Sequence, residues 1–128
     1  MGYVLYVKYE DERVKKLFDD LNDVQNSKNL MKRQIGMELT KAVKKKYNQL
    51  ISFTSFGALI EARIGKMESL EGDMNGSYSL RLSANYRLIV APDTDDFSME
   101  NLKKCDVFII KGVIDYHGKG SKNDWLIP

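Results

Sequence analysis

Apolar residues recur at three- and four-residue spacing through Val14, Leu17, Phe18, Leu21 and Val24. That is the stripe of an amphipathic helix, with Asp11 placed to cap its start. A polar break at 26–29 separates it from a longer stripe formed by Ile35, Leu39, Ala42, Val43, Tyr47 and Leu50. Two single-faced helices this close in sequence pack most economically as an antiparallel hairpin. Upstream, residues 3–9 are rich in Tyr and Val and predict a short strand; residues 53–64 predict a third, short helical segment. After Gly65 the period changes. Tyr78, Leu80 and Leu82 alternate with Ser79, Arg81 and Ser83, a half-buried strand. A tight turn at 83–85 leads into a second strand over 86–91, stopped by Pro92. Residues 93–104 are polar, with one turn of helix at 99–103, and the apolar run 105–114 predicts a strand buried on both faces. Helices first and an antiparallel meander afterwards predict an α+β fold: an N-terminal strand and a helical hairpin packed on a small, mostly antiparallel sheet.

Composition narrows this picture. At 128 residues the chain is expected to be one domain spanning 1–128, with a tail at 118–128, and it needs no disulfide or metal to hold its core. The single cysteine, Cys105, has no internal partner and suits a reducing, cytoplasmic setting. The apolar start is too short before Lys8 and Glu10 for a signal peptide, and no run reaches a membrane span. Charge is uneven along the chain. Residues 10–23 hold six acids against three bases, whereas 28–46 hold seven bases against Glu38 alone. The basic stretch is either a solvated helix surface or an anion-binding face.

Cofactor chemistry finds no support. One His and one Cys make no zinc set, and neither a GxxxxGK[ST] loop, a GxGxxG turn nor a GxSxG elbow occurs. No metal site, cofactor or helix-turn-helix for direct DNA binding is expected. What remains is a cluster at the end of the last long strand. Asp115, Tyr116 and His117 place an acid, a phenol and an imidazole within three residues, with Asp115 and His117 on one side and Tyr116 on the other. Each residue reads two ways. His117 is either a satisfied structural histidine or a proton-transfer group. Tyr116 is either core with its hydroxyl at the rim or a substrate contact. Asp115 caps the turn at Gly118, pairs with an arginine, or moves a proton. Arg81 and Arg87, in neighbouring strands, either hold strands together through Asp115 or bind an anion.

In combination, Lys66–x–Glu68–x–Leu70–x–Gly72–Asp73–x–x–Gly76–x–x–Ser79–Leu80, then Tyr86–Arg87–Leu88, then Asp115–Tyr116–His117 closely resembles the HigB branch of the RelE/ParE-like toxins. The resemblance runs over 64–89 and 113–117, is only architectural over the N-terminal helices, and leaves out 93–104 and the tail. It implies the toxin of a bacterial type II toxin–antitoxin pair, a ribosome-dependent and metal-independent mRNA endonuclease whose nucleophile is a ribose 2′-hydroxyl. By position, it gives His117 and Asp115 the proton transfers and Tyr116 the positioning of substrate. Arg81 and Arg87 stabilise the phosphate, and Glu68 is a second acid/base. Lys66, Lys111 and Lys119 become RNA contacts. A HigA-like antitoxin and the ribosome with bound mRNA are the implied partners. Rival readings on the same fold are a non-catalytic, gyrase-poisoning ParE-like toxin and an inactive interaction module recorded as a killer-suppression protein. The catalytic reading expects the end of the last long strand and the two arginine-bearing strands to form one cationic pocket. Trp125, Leu126 and Ile127 are expected to fold back onto the core.

Overall fold

The computed structural model describes residues 5–21, 23, 25–116 and 124–128. Strand β1 (Tyr6–Tyr9) is followed by helices α1 (Glu12–Asp19), α2 (Leu30–Ile35), α3 (Met37–Ile51) and α4 (Phe56–Ala62). Then come β2 (Glu68–Ser69), β3 (Tyr78–Arg81), β4 (Tyr86–Pro92), a single helical turn α5 (Met99–Leu102), β5 (Val107–Asp115) and β6 (Asp124–Ile127). The class is α+β, as the hydrophobic periods predict. Among the described residues, no helix is long and apolar enough to cross a membrane.

Local chemistry explains the helix starts and stops. The Asp11 carboxylate accepts from the backbone N–H groups of Arg13 and Val14; the Arg13 guanidinium hydrogen bond, followed by these backbone bonds, holds its pKa below the usual carboxylate range. The predicted second helix corresponds to α3, and the short α2 before it is an element the hydrophobic period does not predict. Gly36 takes φ +88°, outside helical space, and splits α2 from α3. Asn29 joins α2 to the end of α1. Its buried amide donates to the carbonyls of Asp20 and Asp23 at 2.6 and 3.0 Å, while its Oδ1 accepts from Lys32 N at 2.8 Å. An Asn29→Ala variant is therefore expected to lose about 2 kcal/mol of unfolding free energy, because one cap bond and two buried carbonyls lose their partner. Urea titration checks this.

The sheet runs β1-β5-β4-β3-β2, with β6 also on β5. Strands β3 to β5 form the predicted antiparallel meander, the unpredicted β2 extends it beyond β3, and β1 lies parallel to β5. One edge of β5 is shared: β1 pairs with Val107–Ile110, and β6 pairs with the stretch Val113 to Asp115. The end of the tail, 124–128, thus folds back onto the sheet, burying Ile127 as expected while Trp125 stays partly exposed. The core lies between one sheet face and the helices, where Leu80, Leu88, Val90, Phe108, Ile110 and Val113 meet Val14, Phe18, Val43 and Phe56. Rings stitch the layers together: Tyr9–Phe18 at 5.6 Å, Phe18–Tyr47 at 6.0 Å and Phe56–Tyr78 at 5.1 Å.

Two irregularities set which residues face which way. Ile89 pairs with Gly112 and Val90 with Ile110, so Lys111 is an extra residue bulged out of β5. Val113 pairs with Ile127 and Ile114 with Trp125, so Leu126 is the corresponding extra residue in β6.

Candidate functional site

The face of the sheet turned away from the helices carries four of the residues singled out from the sequence: Glu68, Arg81, Arg87 and Tyr116. Directly paired residues of an antiparallel ladder project to the same side. Arg81 pairs with Arg87, Arg87 with Ile114, and Ile114 with Trp125. One rung therefore crosses four strands as Arg81–Arg87–Ile114–Trp125. The neighbouring rung is Glu68–Ser79–Ile89–Gly112. Leu80, Leu88 and Val113, which belong to the helix-side core, alternate with these positions and confirm the assignment.

Arg87 is the most constrained of the cations. Its Nη1 donates to the carbonyls of Ser83, Ala84 and Tyr86 at 2.9, 3.2 and 3.2 Å. Its guanidinium lies 4.9 Å from the centroid of the Tyr116 ring. Tyr116 is itself held by a 2.6 Å bond from its N–H to the carbonyl of Asn85. The β3–β4 turn and the end of β5 thus fix the plane of the guanidinium, and its Nε and Nη2 donors stay unused among the described residues. A guanidinium clamped on one edge and open on the other suits bidentate contact with a phosphate. Arg81 stands beside it, exposed.

The remaining candidates fall in different places. Glu68 is exposed on the arginine face, one rung from Arg81. Lys66 is exposed in a 3-10 turn, Ile64–Lys66, where Arg63 and Lys66 both take left-handed φ values, 53° and 52°. Such strain in residues other than glycine concentrates at functional loops. Lys46 also reaches this turn. A Cβ on Gly65 would sit 3.3 Å from Lys46 Nζ and 3.3 Å from Arg81 N. Burial, with Lys45 nearby, pushes the Lys46 pKa down. Lys46, in the second half of α3, thus lies beside the turn that precedes β2, a juxtaposition that charge counting along the chain does not show.

Asp115 does not join the arginines. It pairs with Tyr86 and follows Val113 on the helix side of the sheet, with no hydrogen-bond or ion-pair partner among the described residues. The expected single pocket is therefore divided. The structure brings Arg81, Arg87, Tyr116 and Glu68 to one face and places Asp115 on the other, because the bulge at Lys111 resets the alternation of β5. Lys111 is not on the arginine rung either; it makes a 3.6 Å ion pair with Glu10 beside a separate cavity. His117 and Lys119 lie outside the described residues. Among those described, no three His, Cys, Asp or Glu side chains converge as a metal set.

No family model and no curated protein matches the chain. Among solved structures it is similar to the YoeB–YefM complex from Staphylococcus aureus, at 20% identity and TM-score 0.44, over 89% of this chain and 98% of that one. A heterotetrameric YoeB–YefM toxin–antitoxin complex from Staphylococcus aureus gives 21% identity and TM-score 0.45, over 89% and 98%. A YoeB/ParE toxin from Agrobacterium tumefaciens gives 14% and TM-score 0.46, over 89% and 100%. The functional reading therefore rests on the chain's own residues.

Proposed function

We propose that the chain is a RelE/ParE-like toxin of a bacterial type II toxin–antitoxin pair, and that it acts as a ribosome-dependent, metal-independent mRNA endonuclease. The observation that carries this is the Arg81–Arg87 pair, with Arg87 clamped by turn carbonyls and by Tyr116 on the helix-free face of the sheet. The motif resemblance over 64–89 and 113–117 supports it.

In the proposed reaction the ribose 2′-oxygen attacks the adjacent phosphorus. A 2′-O–P bond forms and the P–O5′ bond breaks, leaving a 2′,3′-cyclic phosphate and a 5′-hydroxyl. Glu68, the carboxylate on the arginine face, takes the 2′-hydroxyl proton; His117 returns a proton to the leaving 5′-oxygen. Arg81 and Arg87 hold the phosphate and offset the charge that accumulates in the transition state. Tyr116 positions Arg87. Only RNA carries the nucleophile, so DNA is not a substrate. A HigA-like antitoxin is the proposed protein partner, the decoding site with its mRNA the place of action, and the cytoplasm the compartment.

Induced expression tests the proposal. Growth should stop, and transcripts should be cut only while they are translated, as mapped by primer extension with and without a blocked start codon. Glu68→Gln and His117→Gln should each suppress cutting. Growth arrest with intact transcripts would instead assign a non-catalytic toxin.

A further inference from the structure

The rung that carries the arginines ends on an aromatic residue the proposed reaction does not use. Trp125 is the only tryptophan in the sequence and is 42% exposed, while Ile114 between it and Arg87 is 1% exposed. Beside the indole opens a cavity of about 280 Å³, lined by Glu10, Asp73, Ser77, Ile89, Lys111 and Trp125. Ile89 lies two residues along β4 from Arg87 on the same face, a displacement of roughly 6.8 Å. The cavity is thus about one nucleotide step from the proposed phosphate position.

Its chemistry differs from that of the arginine pair. Two carboxylates, Glu10 and Asp73, face one ammonium, Lys111, already paired with Glu10 at 3.6 Å. Asp73 has no hydrogen-bond or ion-pair partner among the described residues and is exposed on the 3-10 turn Gly72–Met74. A net-negative cavity repels phosphate. Its carboxylates accept hydrogen bonds from an exocyclic amino group of a neutral ring and repel the two carbonyl oxygens that flank the N–H of uracil, while an indole wall offers stacking. The volume lies just below the roughly 300–1,000 Å³ of drug-sized sites, enough for one ring system.

We propose that this cavity receives a nucleobase next to the scissile phosphate, stacked on Trp125 and read by the Glu10 and Asp73 carboxylates. Bases with an exocyclic amino group are favoured over uracil. The inference rests on the endonuclease reading for its substrate class, and it adds a specificity determinant built by the tail strand β6 and the bulged Lys111.

Because Trp125 is the sole tryptophan, intrinsic fluorescence reports on this position alone. Full-length protein is titrated with 2′-O-methylated pentamers of adenine, cytosine and uracil, which cannot be cut. Adenine and cytosine pentamers should quench the emission strongly and uracil weakly. Trp125→Ala should weaken their binding about tenfold by fluorescence anisotropy of a labelled pentamer. Trp125→Phe should bind nearly as well as the parent, which separates lost stacking from a misfolded strand. Glu10→Gln with Asp73→Asn should erase the preference over uracil. No quenching by any pentamer, or unchanged anisotropy for Trp125→Ala, overturns the inference. The endonuclease reading is judged separately on translated messages. Cutting by Trp125→Ala at unaltered sites refutes only the base pocket, whereas absent cutting by the parent protein refutes the nuclease and leaves the titration to decide the cavity.

Discussion

Replacing Arg87 by alanine is expected to slow mRNA cutting by about a hundred- to a thousandfold, the usual cost of one preorganised donor to a developing oxyanion. Growth arrest on induction should disappear with it. Rigidity is the cause. Nη1 is held by three carbonyls of the β3–β4 turn and the guanidinium face rests on Tyr116, so the free edge is presented without loss of side-chain entropy when substrate arrives. Lysine places a charge there and cannot hold the turn and a phosphate together, so Arg87→Lys should recover only a small part of the activity. Arg87 is half-buried at a solvent-facing turn, so folding should change by no more than about 1 kcal/mol. Rates from a reconstituted translation reaction, beside a urea melt of the same preparation, check both. A folded Arg87→Ala that still cuts at the parental rate removes the phosphate assignment.

The sequence reveals elements better than it reveals faces. Each helix and strand that buries a single stripe is legible from its period, as are the Asp11 cap and the register-setting alternation of Tyr78, Leu80 and Leu82. The β5 segment is different. Ile109, Ile110, Val113 and Ile114 are apolar on both faces, so period alone cannot say which side Asp115 occupies. The bulge at Lys111 decides it, and a bulge leaves no mark in a run of apolar residues beyond the glycine that follows. The alternation alone puts Asp115 with the arginines, but it lies across the sheet from them, while Glu68, placed only by a two-residue strand, joins them. The break at Gly36 was similarly hidden, because Ile35 and Leu39 keep helical spacing across a residue at φ +88°. Lys46 reaches the Gly65 turn, and Trp125 the arginine rung, through tertiary packing alone. In sequence Lys46 is one base among seven, and Trp125 one residue of a tail without periodicity.

That same glycine after the bulge gives the second large expectation. Gly112 takes φ +150°, and a Cβ built on it would lie 1.7 Å from the carbonyl oxygen of Ile127, 2.6 Å from its carbonyl carbon and 2.9 Å from Pro128 Cδ. All are parts of β6 and its end rather than the tip of a flexible side chain, so the clash is relieved only if the strand moves away. Gly112→Ala should then cost roughly 4 kcal/mol, combining backbone strain with exposure of the buried Ile127 side chain. The unfolding midpoint should fall by more than about 10 °C. Because β6 carries Trp125, its emission should shift to the red below the main transition as the strand leaves the edge of β5. Ligand behaviour should follow the geometry. The Arg81–Arg87 pair sits on β3 and β4 and does not depend on β6, so Gly112→Ala should retain phosphate-dependent binding yet lose the preference among bases. A variant with parental stability and parental Trp125 emission would mean that β6 does not approach β5 closely enough to exclude a methyl group, and the cavity beside Trp125 would lose its wall.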